Sequence, residues 1–173
     1  SGFSSLGLRS GDVVAWELPT WIETVVLAAA LSRIGVVQNP IIAIYREREV
    51  GFCVRQANAK MLVTPGDFRG FDFGIMGEKI ANDVEGLTHI AVEPEGFPKG
   101  DPSDLPPYAQ PSQGELRWLC YTSVTTADPK GAKHTDDSIS AIGDSMGERL
   151  DVQEGDRPAL VFPFPHIGGL TWL

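Results

Sequence analysis

The sequence predicts an α/β domain, a mostly parallel, doubly wound sheet with flanking helices. Three observations carry that expectation. Strand-like and helix-like patterns alternate along the chain, the order in which a parallel sheet with crossover helices is built. The strand-like runs, among them Val13 to Leu18 and Met61 to Thr64, are short and largely apolar, as strands covered on both faces are. The length of 173 residues suits one ordinary domain and is too short for two large ones.

Taken in order, Val13 to Leu18 is a strand entered from the turn at Ser10-Gly11. Thr20 and Glu23 have the spacing of a capping box, which satisfies free amides at a helix start. Val25 to Leu31 is apolar all round, which predicts a buried helix. Arg33 and Gly35 then supply the charge and the stop that a helix C-terminus favours. Val36-Val37 and Ile41 to Ile44 are β-prone on either side of Asn39-Pro40. From Glu47 to Asn58, Val50, Cys53, Val54 and Ala57 recur at helical spacing, an amphipathic helix.

Met61 to Thr64 returns to strand, and Gly66 to Gly74 reads as a loop whose Phe68, Phe71 and Phe73 pack back on the body. A helix over Gly77 to Val84 and a strand over Thr88 to Val92 follow. Residues 93–114 hold Pro94, Pro98, Pro102, Pro106, Pro107 and Pro111. Proline removes amide donors and fixes φ, so this stretch is an extended connection inside the domain. Leu116 to Tyr121 is a strand, Thr135 caps a helix reaching about Leu150, and Ala159 to Phe162 is a final strand.

One echo runs through the chain. Leu6 to Asp12 resembles Leu150 to Asp156, and each is followed by Ala and then Pro at matching offsets, Ala15 and Pro19 or Ala159 and Pro163. Two copies make no repeat array, so the echo reads as one recurrent helix-to-strand turn.

Composition excludes several function classes. With 14 basic and 23 acidic residues and a formal net charge of -9, the chain lacks the basic face that nucleic acid demands. Cys53 and Cys120 stand far apart, and His89, His134 and His166 are scattered. No metal-ligand spacing results, and the cysteines read as buried small hydrophobes. Ser1 to Ser5 lack the pattern of a signal peptide. The most apolar stretch, Trp21 to Val37, is interrupted by Glu23 and Arg33 and falls short of a membrane span. The expected setting is the cytoplasm.

Chemistry concentrates in two places. The first is Tyr121-Thr122-Ser123-Val124-Thr125-Thr126-Ala127-Asp128-Pro129-Lys130-Gly131. A strand ends here in a hydroxyl-rich turn with one lysine, and hydroxyls, backbone amides and an ammonium group together suit phosphate oxygens. It is not a Walker A loop, since no GxxxxGK[ST] can be drawn. The second is Pro163-Phe164-Pro165-His166-Ile167-Gly168-Gly169.

In this order the two strings resemble the signatures of the adenylate-forming (AMP-binding) enzymes, which include the acyl-CoA synthetases. The first is similar to that family's phosphate signature, Tyr-Thr-Ser-Gly-Thr-Thr-Gly-x-Pro-Lys-Gly, and the second to its Pro-x-x-His-x-x-Gly segment. Gly11-Asp12-Val13-Val14 and Asn39-Pro40 extend the likeness over nearly the whole chain.

The resemblance implies that Thr122, Ser123, Val124, Thr125, Thr126, Ala127 and Lys130 form an ATP phosphate loop. It places His166, Gly168 and Gly169 at the acyl and adenylate pocket. It also implies ATP, Mg and CoA as the parent enzyme's cofactors and a carboxylic (fatty) acid as its substrate, with the rest of a longer enzyme chain as a partner. The family's ribose-binding, metal-binding and catalytic-lysine segments have no counterpart here, so the resemblance makes the chain a partial N-terminal domain that is inactive alone.

Two signature glycines are replaced, by Val124 and Ala127. Holding a β-branched residue at φ > 0 costs about 1–3 kcal/mol, so Val124→Gly is expected to tighten ATP binding. The alternative is a non-catalytic remnant that binds nucleotide, an acyl chain or a protein partner. A more distant one is a serine hydrolase, because Gly143-Asp144-Ser145-Met146-Gly147 matches G-x-S-x-G. That elbow needs a strand before its serine, whereas Asp136 to Ile142 reads as helix.

Overall fold

The structure, a computed structural model, describes residues 1–105, 107–108, 110–122 and 129–172. Its first half runs α1 (Gly2–Ser5), β1 (Val13–Trp16), α2 (Ile22–Arg33), β2 (Val37–Pro40), α3 (Glu47–Gln56) and β3 (Met61–Pro65). A small hairpin of β4 (Asp67–Phe68) and β5 (Phe71–Asp72) leads to α4 (Phe73–Asp83) and β6 (Thr88–Val92). Then come β7 (Trp118–Tyr121), β8 (Gly131–His134), α5 (Asp136–Arg149) and α6 (Ile167–Leu170). Among the described residues of 93–114, only two three-residue 3-10 turns, Pro94–Gly96 and Pro102–Asp104, interrupt the irregular path.

Six strands form one sheet in the order β6-β3-β1-β2-β7-β8. The first four pairings are parallel, and β7 with β8 is an antiparallel hairpin. The predicted mostly parallel, doubly wound architecture is therefore the observed one. Ala15 lies between Asn39 of β2 and Leu62 of β3. One face of the sheet packs Val14 and Trp16 against Leu27, Ala28 and Leu31 of α2. The opposite face packs Ala15 and Leu62 against Val50 and Val54 of α3 and Phe73 and Ile80 of α4. Cover on both faces explains why β1 is apolar throughout and β3 nearly so.

The polar residues of β2 are buried because each finds a role. Gln38 donates from Nε2 to the Ala28 carbonyl (3.0 Å) and Ser32 Oγ (2.9 Å), and its Oε1 accepts from Trp16 Nε1 (3.2 Å). Asn39 Nδ2 donates to the Leu119 carbonyl (2.9 Å), tying β2 to β7.

Several expectations are corrected. Thr20 forms no capping box: α2 begins after Trp21 without a side-chain cap, and Thr20 Oγ1 instead accepts the Phe164 amide (3.0 Å). α2 is not buried all round, since Ile22 is 79% and Val26 61% exposed; one side lies on the sheet, and among the described residues no second layer covers the other. Asn39-Pro40 lies inside β2 and ends it, and Ile41 to Ile44 is not a strand. α4 starts at Phe73, earlier than predicted, because Asp72 caps it by accepting the Ile75 amide (2.8 Å).

Ala159 to Phe162 forms no strand. β8 occupies the sheet edge beside β7, and the Ala159 carbonyl accepts Trp172 Nε1 (3.0 Å) in place of a strand amide. The rival hydrolase motif also resolves. Ser145 lies inside α5, whose start is capped reciprocally by Thr135 and Ser138, so it sits on no strand-to-helix elbow. No described helix is long and apolar enough to cross a membrane.

Candidate functional site

The phosphate-like segment joins β7 to β8. At its base the Thr122 amide donates to the Lys130 carbonyl (3.0 Å), and the Lys130 amide approaches Thr122 Oγ1 (3.4 Å). The structure thus brings Thr122 and Lys130 face to face as the closing pair of a hairpin. Ser123, Val124, Thr125, Thr126 and Ala127 lie outside the described residues.

The His166 segment is pinned to the body by its neighbour. Phe164 is buried and stacks on Trp16 of β1, with ring centroids 5.6 Å apart, while Thr20 holds the Phe164 amide. His166 itself caps α6, its Nδ1 accepting the Gly168 amide (3.0 Å) and its carbonyl accepting Gly169 and Leu170. A neutral imidazole that accepts at Nδ1 carries its proton on Nε2, so His166 presents a donor to whatever lies beyond. Phe162 stacks on the His166 ring, with centroids 6.2 Å apart. Gly169 is required by close approach: a Cβ there would collide with the Pro163 carbonyl and Phe164 Cα.

Both segments meet at the carboxyl ends of β2 and β7, around a cavity of about 410 Å³ walled in part by Tyr45, Cys53, Tyr121, Thr122, His134 and His166. Of the residues singled out in the sequence, Thr122 and His166 share this wall. Lys130 sits at the loop base, and Gly168 and Gly169 shape the turn behind His166. Tyr45, Tyr121 and His134 were missed as site residues. The signal available for Tyr45 and Tyr121 was position, since one follows β2 and the other closes β7 at the sheet's carboxyl end; His134 pairs with Trp118 at the other end of the β7–β8 hairpin, and no local pattern marked it. His89 is elsewhere, its Nε2 2.8 Å from Thr64 Oγ1, with burial lowering its pKa.

The cavity holds no activated nucleophile among its described residues. Burial pushes the Cys53 thiol up to about 12, with Glu17 and Glu49 adding to the effect. Burial also raises Cys120 and Tyr121 to about 12, leaving thiol and phenol protonated near neutrality. The described wall has no carboxylate either. A magnesium ion takes oxygen ligands, usually with one or two carboxylates, so these residues alone do not fit a metal site. Beneath the wall, Glu17 is fully buried with neither carboxyl oxygen hydrogen-bonded. Burial raises its pKa to about 9, partly opposed by Arg46.

Comparison with known proteins identifies the family and the fold. The profile of one family, described as AMP-binding enzyme, matches residues 1–173. A long-chain-fatty-acid–CoA ligase of Mycobacterium tuberculosis is 25% identical over 97% of this chain and 33% of its own length. A medium-chain fatty-acid–CoA ligase of Escherichia coli is 27% identical over 94% of this chain and 31% of its own. The chain thus spans about a third of the length of these curated relatives. Among solved structures, o-succinylbenzoate CoA synthetase of Bacillus subtilis, in complex with its acyl-adenylate intermediate, shares the fold. The TM-score is 0.79 at 23% identity, over 99% of this chain and 42% of that one.

Proposed function

The chain belongs to the AMP-binding enzyme family, and from that premise we propose that it carries the ATP phosphate loop and part of the acyl site of an ATP-dependent acyl-CoA synthetase. It contributes these as part of the enzyme's large N-terminal domain. In that reaction a carboxylate oxygen of the acid bonds to the α-phosphorus of ATP as the α–β anhydride bond breaks and pyrophosphate leaves. The thiol of CoA then attacks the acyl carbon, AMP departs, and a thioester remains.

The observation that carries the reading is the shared cavity, where Thr122 of the hydroxyl-rich loop and His166 line one wall. The loop hydroxyls and the Lys130 ammonium group would hold phosphate oxygens, an electrostatic task. His166 would donate from Nε2 to the acid or the adenylate. The protonated thiol and phenol suit this chemistry, because the substrate supplies its own nucleophile. A bound magnesium ion would neutralise phosphate charge, and its ligands must come from residues other than the described wall.

Two measurements test this. Titration with ATP should show at least a tenfold weaker complex for Lys130→Ala than for the wild type. In a chain extended to the length of the relatives, His166→Ala should lower acid-dependent exchange of pyrophosphate into ATP while ATP still binds. Equal ATP affinity for the wild type and Lys130→Ala would refute the assignment of the loop.

A further inference from the structure

A separate cavity lies at the amino ends of the strands, at the far end of the sheet from His166. Residues 8–10, 33–35, and 115 with 117 lead into β1, β2 and β7, and together they wall a space of about 530 Å³. Asp104 and Gln110 of the proline-rich connection close another side. Small-molecule sites occupy about 300–1,000 Å³, so this space suits a metabolite and is too large for an inorganic anion alone.

The wall is rich in positive charge. In a chain of formal net charge -9, three of the nine arginines, Arg9, Arg33 and Arg117, meet here. Two of them keep donors that no described residue uses. Arg9 donates to the Ser4 and Leu8 carbonyls (3.3 and 2.9 Å) through Nη1 alone, a part of its five-donor fork. Arg117 is 3% exposed. Its Nη2 donates to the Ser32 carbonyl (2.6 Å) and its Nη1 to Glu115 Oε1 (3.3 Å). Its Nε is buried without a hydrogen-bond partner, 3.4 Å from Asp136 Oδ2. Arg33 is placed by Tyr108, whose ring centroid lies 5.5 Å from the guanidinium.

Two carboxylates stand among the described wall residues, and they differ. Glu115 is engaged, accepting from the Ser112 amide (2.8 Å) and from Arg117. Asp104 can accept from a hydroxyl group of a ligand, and the Gln110 amide can both accept and donate. The cavity therefore pairs an anion-binding side with a side suited to hydroxyls.

We propose that this cavity binds a phosphorylated small molecule that also carries hydroxyl groups. Its phosphate lies against the arginines, since guanidinium groups meet phosphate oxygens with paired N–H bonds. Its hydroxyls face Asp104 and Gln110. The proposal stands apart from the acyl-CoA synthetase reading, because no residue of this wall belongs to the phosphate loop or to the His166 cavity.

The probes are glucose 6-phosphate, inorganic phosphate and glucose, titrated into the isotope-labelled chain and followed by amide chemical shifts. Glucose 6-phosphate should give saturable shifts at Arg9, Ser10, Gly35 and Arg117. Inorganic phosphate should shift the same amides but bind more weakly, and glucose should shift none of them. Arg9→Gln and Arg33→Gln should each weaken glucose 6-phosphate about tenfold, as loss of a hydrogen bond to a charged group does. Arg9 is exposed, so its variant will fold. Arg157→Gln makes the same charge change at an exposed residue outside the cavity and should leave the affinity unchanged.

Shifts confined to Thr122 and its neighbours, or equal affinity in the wild type and both cavity variants, would overturn the proposal. Inorganic phosphate binding as tightly as glucose 6-phosphate would also overturn it, by reducing the cavity to a bare anion contact. Loss of the shifts in a chain extended to the relatives' length would do the same, since other segments would then fill the space.

Discussion

Two stretches of this chain share nearly one local code and reach different ends. In Leu6 to Asp12, the Arg9 amide donates to Asp12 Oδ2 (2.8 Å) and the Asp12 amide donates back to the Arg9 carbonyl (3.1 Å). In Leu150 to Asp156, Gln153 and Asp156 repeat both bonds at the same distances. The glycine before each aspartate has φ of 84° or 95°. After the first turn the chain enters the sheet as β1, between β2 and β3. After the second, residues 157–159 are exposed and Leu160 is half-buried. The turn aims the chain, but a strand forms only where neighbouring strands offer unpaired amides and carbonyls.

The comparison can be broken most forcefully at the fourth residue after each aspartate. Trp16 is fully buried and Leu160 is not, so Trp16→Ala should cost about 3–5 kcal/mol and Leu160→Ala about 1 kcal/mol or less. Denaturant midpoints of the two variants decide it, and equal losses would mean that both segments are core. The next position sharpens the contrast through charge. Glu17 has its pKa raised to about 9 from 4.5 by burial, so the folded chain keeps a proton that the unfolded chain has lost between those values. Stability should therefore fall as pH rises through that window. Glu17→Gln should flatten the profile and gain on the order of several kcal/mol near pH 8, at about 1.4 kcal/mol per pKa unit. A wild-type profile already flat from pH 5 to 9 would show that Glu17 finds a partner.

The same contrast explains what could be read in advance. β1, β3, β6, α3 and α5 were legible because apolar period and caps are local properties, as Val50, Cys53 and Val54 on one face of α3 illustrate. The two ordered strings were legible, and the structure places one described residue of each, Thr122 and His166, on the wall of one cavity. What failed depended on distant neighbours. Thr20 is drawn from capping by Phe164, far along the chain. Ile22 and Val26 look like core yet face outward, since burial is decided by what the fold lays over a helix and not by the helix. β8 was missed because Gly131 to His134 becomes a strand only by folding back on β7.

A smaller difference should appear between the two aspartates. Burial raises the Asp12 pKa, but the Lys60 hydrogen bond, the Arg9 amide and the nearby positive charges lower it further, for a net depression below 3.8. Its ionised form therefore adds stability above the ordinary carboxylate range, which is lost as pH falls below 3.8 through the folded value. The Lys60–Asp12 pair is 2.8 Å long and partly exposed, and such pairs contribute about 1 kcal/mol at most. Asp12→Asn should cost about that much at pH 7, and less in high salt. Asp156→Asn should stay within about 0.5 kcal/mol. A double-mutant cycle of Asp12 with Lys60 that returns no coupling would remove this distinction.

The smallest and most discriminating effect lies at the glycines. Gly11 and Gly155 hold φ of 84° and 95° with nothing close to either Cβ position, so only backbone strain opposes a side chain. Each Gly→Ala change should impose nearly the same local cost, about 1 kcal/mol. What differs is how far the cost travels. Gly11 precedes the central strand, whose opening requires the core to open, so Gly11→Ala should lower global stability by the full amount. Gly155 lies in an exposed run of residues 151–159 that can open without disturbing the sheet, since stability is not uniform across a fold. Gly155→Ala should leave the global midpoint nearly unchanged and instead speed amide exchange at Gln153 and Asp156, whose amides are hydrogen-bonded within that turn. If both variants lower the global midpoint equally, the second turn is tied to the core as tightly as the first.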